Sequence, residues 1–371
     1  MGVDSRSARE LDLGPLSDDV GVEVLLGTDP DLLPANIDGV VMSPGVSLDQ
    51  PLVRAAQAAG LPVIAEVELA SSFVDGQIIG ITGSNGKSTT TLMTGEILSA
   101  AGFAVEVCGN IGVPLSDVVE GPPGRIFVAE LSSFQLESVD TFHPRAAALL
   151  NLSTDHLDRH QDDDSYFAAK ERLFANQESS DVAVMNADDP RVGQVVVEAR
   201  RREFSRQGPV DDGCYLNGDI VIEVDPAGED RPLFSSQDLS LPGVHNLENA
   251  MAAALLSRAI GADPTVFRQA LSQFRGLPHR LQRIVDRRGV VWYDDSKATN
   301  FAATAKSLAG FADGSVHLIL GGRNKGGDPG ELEKEVSHKV ARIYLIGEAA
   351  EEIAAALEGV APCEMSGTME A

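Results

Sequence analysis

Residues 78–100 read IIGITGSNGKSTTTLMTGEILSA, and the reading of this stretch decides the fold. Ile78 and Ile79 lead as a buried strand into Gly80, and from Thr89 onward the residues suit a helix. A strand–loop–helix junction aims backbone N–H groups at one point, and the helix dipole adds positive potential there, so an anion is favoured. Gly83 and Gly86 let the backbone approach phosphate with no Cβ in the way. Lys87 is placed to reach the β- and γ-phosphates, and the Ser88 hydroxyl suits Mg2+. The usual phosphate loop, Gly-x-x-x-x-Gly-Lys-Ser/Thr, asks for glycine at position 81, where this chain has Ile81. The stretch is therefore a nucleotide site of another design or a chance glycine turn. The strand before it and the helix after it favour the nucleotide site.

The bulk numbers narrow the field. At 371 residues, two or three domains are expected, and 43% apolar residues supply sizeable cores. A formal charge of −27 repels a nucleic-acid backbone and an anionic membrane surface, so neither is expected as a partner. The bland meaning of that charge is a soluble, salt-tolerant surface, and local lysines and arginines still suit a phosphorylated small molecule. Cys108, Cys214 and Cys363 are odd in number and never form a CxxC pair, which fits a reducing compartment and no disulfide framework. No run approaches the ~20 apolar residues of a membrane span, and the N-terminal residues carry no apolar signal core. A cytoplasmic protein is expected, working as a monomer.

Along the chain, short apolar runs alternate with helix-like stretches, the rhythm of a parallel sheet covered by helices. Residues 38–46 read as a strand ending in a Ser-Pro-Gly turn, 51–60 as a helix closed by glycine, and 61–70 as a further strand and helix start. A second unit opens near Gly76 with strands at 78–82, 104–107, 125–131 and 145–153. The pattern turns irregular over 204–241, which suggests a surface β insertion, and 245–262 reads as an amphipathic helix. After the Gly/Pro-bearing linker 274–282, strands at 289–296, 316–322 and 340–347 begin a third α/β unit. The expected division is 1–75, 76–276 and 277–371.

Further chemistry clusters at strand ends. Glu130 closes the strand RIFVAEL, where a carboxylate beside a phosphate loop is placed for a metal. The segment NLSTDHLDRH (151–160) offers Asp155, His156, Asp158 and His160, and His156 suits a second divalent ion only if it lies beside Glu130 and the loop. Lys170 lies on the helix YFAAKERLF, where a solvated lysine is the ordinary case. YDDSKATN (293–300) and GGRNKGGD (321–328) bring Arg323 and Lys325 with Lys297 to strand ends. Each is an ordinary αβ turn taken alone, and together they suggest a basic clamp for carboxylates facing the nucleotide unit.

These segments in order resemble the Mur ligase family, whose loop is a G-x-x-G-x-x-G-K-[ST] variant that GITGSNGKS matches. GNIGVPL, ELSSFQLE, NLSTDHLDRH, NADD, LPGVHNLENAMAA, GLPHR and DDSKATN appear in the family's order, over practically the whole chain. The resemblance implies an α/β fold of three domains: a truncated N-terminal Rossmann-like domain that binds the UDP-substrate, a central P-loop-type ATPase domain and an incomplete C-terminal Rossmann-like domain for the amino acid. It implies an ATP-dependent acid–amino-acid ligase of peptidoglycan precursor synthesis, with UDP-N-acetylmuramoyl-L-alanine and D-glutamate as partners and two Mg2+ sites. The nucleotide would be held by Gly83, Asn85, Gly86, Lys87, Ser88 and Thr89, by Asn246 and Asn249 of the HNxxN stretch, and by Arg280 and Asp295. Ser88 and Glu130 would bind one Mg2+ and His156 the other. Lys170 matches the family's carbamoylated lysine, a cation turned into a metal-binding anion. Asn110 and Ser132 would contact the muramoyl-alanine substrate, Lys297, Thr299 and Lys325 would grip D-glutamate, and Ser5 and Arg6 would sit at the uridine end.

The family's first strand with its glycine loop, and its final SPxxASxDxF segment, lie outside these 371 residues. The expectation is an internal fragment or truncated product that folds yet binds UDP-sugar and D-glutamate poorly. The alternatives are a ligase adding L-alanine or diaminopimelate, a folylpolyglutamate synthetase-like enzyme, a P-loop kinase or regulatory NTPase, and a non-catalytic fragment. ELSSFQLE and DDSKATN favour D-glutamate addition, and a simple NTPase leaves the C-terminal clamp without a purpose.

Overall fold

A computed structural model describes residues 2–4, 24–26, 33–34, 36–153, 162–241, 243–276, 281–298, 300–323 and 327–368. Two short parallel pairs come first, β1 (Gly2–Asp4) with β2 (Val24–Leu26) and β3 (Val40–Met42) with β4 (Val63–Ala65). Helix α1 (Pro51–Ala58) joins β3 to β4 and opens on proline, whose missing N–H has no intrahelical partner to lose at that position. Helix α2 (Glu66–Ser71) fastens this region to the chain around residue 141. Its buried Glu68 accepts the backbone N–H groups of Asp140, Thr141 and Phe142 at 3.0, 2.8 and 3.0 Å, as well as the Thr141 hydroxyl. Burial alone would raise this carboxyl, but the hydroxyl and three amides outweigh it and hold Glu68 below the usual carboxylate range.

The centre of the molecule is a nine-stranded sheet built from β5 (Gly76–Thr82), β6 (Val105–Gly109), β7 (Arg125–Glu130), β8 (Ala146–Leu149), β9 (Val182–Asn186), β10 (Arg200–Ser205), β11 (Gly213–Asn217), β12 (Ile220–Val224) and β13 (Asp230–Ser235). The order is β13-β12-β11-β10-β9-β8-β5-β7-β6, parallel from β6 to β11 and antiparallel through β12 and β13. The stretch read as a surface insertion thus extends the main sheet. Glu203 pairs with Gly213, and Cys214, Val221 and Phe234 enter the central core.

Neighbouring β5 residues face opposite sides, as a strand's period of two requires. Ile79 and Ile81 pack with Met93, Ile97 and Leu98 of α3 (Lys87–Ala100), beneath α6 (Val244–Ile260) and α7 (Phe267–Gln273). Ile78 packs on the other face with Phe127, Leu136 of α4 (Ser133–Leu136) and Tyr166 of α5 (Asp163–Glu171). Helix α6 departs from the amphipathic expectation. Nearly every residue from Asn246 to Ser257 is buried, because α6 packs against β8–β11 and against helix α3.

Beyond residue 281, β14 (Gln282–Arg287) and β15 (Val290–Asp294) form an antiparallel hairpin. Strands β16 (Val316–Gly321), β17 (Val340–Ile346) and β18 (Cys363–Gly367) form a parallel three-stranded sheet with α8 (Phe301–Leu308), α9 (Glu333–Lys339) and α10 (Ala350–Ala356). Its core holds Leu308, Leu332, Val336, Ile343, Leu345 and Ile353. The strand within 289–296 therefore pairs with β14 and stands apart from the parallel sheet. Among the described residues, no helix is long and apolar enough to cross a membrane.

Candidate active site

The loop between β5 and α3 sits at the carboxyl end of the parallel strands, where open α/β sheets bind ligands. Gly86 caps α3 at φ +85°, a conformation glycine adopts without penalty. A Cβ there would come within 2.3 Å of Asn249 Oδ1. Chain beyond β8 holds the loop from one side. Ser84 N donates to Asn151 O at 2.9 Å, Asn85 N donates to Asn151 Oδ1 at 2.8 Å, and Asn151 Nδ2 returns a bond to Asn85 O at 3.0 Å. The loop is thus shaped by its neighbours before any ligand arrives.

Two ammonium groups converge on it. Lys87 Nζ donates to Gly83 O at 2.9 Å and to Ser84 O at 3.0 Å. Lys170 Nζ donates to the same Gly83 O at 2.9 Å and lies 3.5 Å from Thr82 Oγ1. Lys170 is only 1% exposed, so the solvated surface lysine expected of such a helix is not what the fold provides. A buried cation needs partners, and here the two lysines share one carbonyl of the loop.

Register places the acid beside them. Ile81 of β5 pairs with Glu130 of β7, so Glu130 ends its strand next to the start of the loop. Its Oε1 accepts from Asn110 Nδ2 at 2.8 Å, while Oε2 is buried and has no hydrogen-bond partner among the described residues. Asn110 N also donates to Glu130 O at 2.8 Å. An orphaned oxygen on a 3%-exposed carboxylate suits a divalent cation, and the donor set of carboxylate with the Ser88 hydroxyl is the hard oxygen chemistry Mg2+ takes. Among the described residues, no three His, Cys, Asp or Glu side chains gather at one point.

Asn249 and Asn246 project from the start of α6, both buried. Asn249 Oδ1 accepts from Thr90 Oγ1 at 3.2 Å, which locks α6 to the first turn of α3 directly under the loop. Asn110 also lines a cavity of about 440 Å3 with Met42, Ser43, Glu66, Ser116 and Gln135, between the β3 end and the central sheet. The Ser132 hydroxyl caps α4 in a reciprocal arrangement with Gln135, a task its sequence assignment did not foresee.

In the C-terminal region, Asp295 Oδ1 accepts from Leu281 N at 2.9 Å, and Lys297 is exposed. Arg323 is engaged by Glu348 through two bonds of 3.0 and 3.2 Å, so in this state it is neutralised where the sequence suggested a free clamp. Ser5, Arg6, His156, Arg280, Thr299 and Lys325 lie outside the described residues. Sequence reading missed Ser84, Thr82, Asn151 and Tyr166. Tyr166 alone carried a signal, standing four residues before Lys170 on the same helix face.

Two family models match the chain, the Mur ligase middle domain over residues 81–257 and the Mur ligase glutamate ligase domain over residues 279–371. The chain is 42% identical to the UDP-N-acetylmuramoylalanine–D-glutamate ligase of Koribacter versatilis over 93% of its own length and 77% of that protein. It is 41% identical to the like-named ligase of Syntrophotalea carbinolica, over 99% of its length and 82% of the relative. Among solved structures, UDP-N-acetylmuramate-alanine ligase from Thermotoga maritima superposes with a TM-score of 0.60 at 18% identity, covering 94% of this chain and 80% of that one. A UDP-N-acetylmuramoyl-L-alanyl-D-glutamate–2,6-diaminopimelate ligase gives 0.60 at 20% identity, covering 89% and 82%. These two share the fold. With Lys87 and the buried Lys170 sharing one loop carbonyl, a glutamate at the end of the neighbouring strand, and relatives this similar along nearly all its length, the chain belongs to the Mur ligase family.

Proposed function

We infer that this chain is an ATP-dependent ligase that joins D-glutamate to UDP-N-acetylmuramoyl-L-alanine, a step of peptidoglycan precursor synthesis. The observation that carries the reading is the meeting of Lys87 and Lys170 at Gly83 O, on a loop whose strand pairs at Ile81 with Glu130, the carboxylate with the orphaned oxygen. The relatives' shared name supplies the substrates. A carboxylate is a poor acyl donor because its oxide leaving group is too basic. Transfer of the ATP γ-phosphoryl group to the L-alanyl carboxylate gives an acyl phosphate, which the D-glutamate amine attacks through a tetrahedral intermediate, releasing phosphate. The reaction needs cations where phosphoryl charge shifts and a separate pocket for a dianionic amino acid.

The chain's own groups divide that work. Loop amides of Gly83–Ser88 orient the triphosphate, and Lys87 leaves its backbone acceptors to follow the transferred group. Asn246, Asn249, Arg280 and Asp295 hold the nucleoside, and Thr89 and Asn85 complete the loop. Ser88 and Glu130 would hold one Mg2+, with His156 and a carbamoylated Lys170 at a second site. A divalent cation there supplies neutralisation of the developing phosphoryl charge. Asn110, which lines the cavity of about 440 Å3, and Ser132 contact the muramoyl-alanine substrate, with Ser5 and Arg6 at the uridine end. Lys297, Thr299 and Lys325 receive D-glutamate. Units over 1–75, 76–276 and 277–371 would take the UDP-substrate, ATP and the amino acid in turn.

The test is phosphate release by the purified chain with ATP, Mg2+, UDP-N-acetylmuramoyl-L-alanine and D-glutamate, each omitted in turn. Release is expected only with all four. Release at background with all four present would overturn the reading, and equal turnover with L-alanine or diaminopimelate would reassign the amino acid.

A further inference from the structure

The geometry around Lys170 points to a residue that neither the motifs nor the relatives' names single out. Tyr166 precedes Lys170 by one helical turn on α5 and is 1% exposed. Its ring lies under the Lys170 ammonium, with Nζ 4.6 Å from the ring centroid, and its hydroxyl lies 3.2 Å from Ser84 Oγ in the loop. Ser84 Oγ in turn donates to Ser153 O at 2.9 Å and accepts from Ser153 N at 3.0 Å. One side chain therefore touches both the lysine and the loop that the lysine serves. Residue 153 is also the last described position before the 154–161 segment that contains His156.

A long lysine side chain has many rotamers, and burying its head requires something to select one. Gly83 O is shared with Lys87, so a contact of Lys170's own adds to the selection. The negative face of an aromatic ring supports the ammonium at this separation, and so sets where the head group stands before it is modified. Resting on the functional reading given above, we propose that Tyr166 is a positioning residue that fixes the Lys170 head group relative to the phosphate loop. The ring does the positioning, and the hydroxyl ties the ring to Ser84.

Three variants with one cycle test this. Tyr166→Phe keeps the ring, and Tyr166→Met keeps apolar volume without it. Tyr166→Met is expected to lower kcat by about tenfold or more, since small misplacements of a catalytic group are costly, with thermal stability checked alongside. Tyr166→Phe should restore most of the rate, staying within about threefold of the native chain because the ring is retained. Binding of β,γ-methylene-ATP with Mg2+ is then measured for the native chain, Tyr166→Met, Lys170→Ala and the double variant. If Tyr166 acts through Lys170, Tyr166→Met weakens binding several-fold when Lys170 is present and by less than about twofold when it is absent. Equal losses in both backgrounds, or equal rates for the Met and Phe variants, would overturn the proposal. A fully active Lys170→Ala would sink the functional reading of Lys170 and this proposal with it. An inactive Lys170→Ala beside a fully active Tyr166→Met would sink the proposal alone.

Discussion

Gly86→Ala isolates what the loop requires of the chain beneath it. Gly86 has φ +85°, and an L-residue in left-handed conformation costs about 1–2 kcal/mol. The added methyl would also stand 2.3 Å from Asn249 Oδ1 and 3.2 Å from Asn249 Cγ, so the amide has to turn away. Asn249 is 5% exposed, and turning it breaks the bond from Thr90 Oγ1, leaving buried polar atoms unpaired at roughly 1–3 kcal/mol. The full substitution should destabilise the protein by about 2–5 kcal/mol, with the two contributions separable. In an Asn249→Ala background the contact is gone, and Gly86→Ala should cost only the dihedral share, about 1–2 kcal/mol. Urea unfolding followed by far-ultraviolet circular dichroism on the four proteins measures both. Equal costs in the two backgrounds would refute the packing argument, and a Gly86→Ala cost below about 1 kcal/mol would refute the backbone argument as well.

Glu68→Gln places an amide donor against N–H donors, and should lower stability by about 2–3 kcal/mol at pH 7 in the same assay. Because folding depresses the Glu68 carboxyl, its contribution is fully present above the unfolded value of about 4.3 and is lost as pH falls through the folded one. The gap between native chain and variant should therefore close below about pH 4, and a gap independent of pH would contradict the assignment. Lys87→Ala should reduce D-glutamate-dependent phosphate release to background, and a native rate would remove the lysine from the reaction. Lys170→Ala should do the same but regain part of its rate with formate or acetate, which supply the missing carboxylate. A native rate without added acid would exclude the carbamate role.

The alternation of strands and helices was legible because burial on both faces of a parallel strand demands continuous apolar runs, as in IIGIT before the loop and IFVA before Glu130. The loop was legible because a phosphate tolerates few residue types beside it. Two failures have a common cause in non-local packing. The 204–241 stretch looks irregular in isolation, yet pairing of Glu203–Ser205 with Gly213–Tyr215 recruits it to the sheet, and its apolar residues then join the core beneath α6 and α7. Helix α6 carries Ala250, Ala252, Ala253 and Ala254, whose small size admits neighbours on every side, so its burial depends on partners that periodicity does not report. The Ser84–Tyr166 contact spans 82 positions and leaves no local trace.

A protein of formal charge −27 repels a nucleotide, a UDP-sugar and glutamate at long range, but at physiological ionic strength that field is screened beyond roughly 8 Å. Affinity for anions then depends on cations held within contact distance of the ligand and shielded from the acidic surface. The fold brings Lys87 and Lys170 together at the loop through Gly83 O, with the Tyr166 ring against the second of them. Neither a carbonyl nor an aromatic face carries a formal charge, so these contacts orient the two head groups without themselves neutralising them. A carboxylate salt bridge does cancel, as Glu348 does for Arg323. On the proposed reading, Lys87 turns from these acceptors toward an incoming phosphate, while burial beside the loop sets Lys170 where its carbamate would meet a metal.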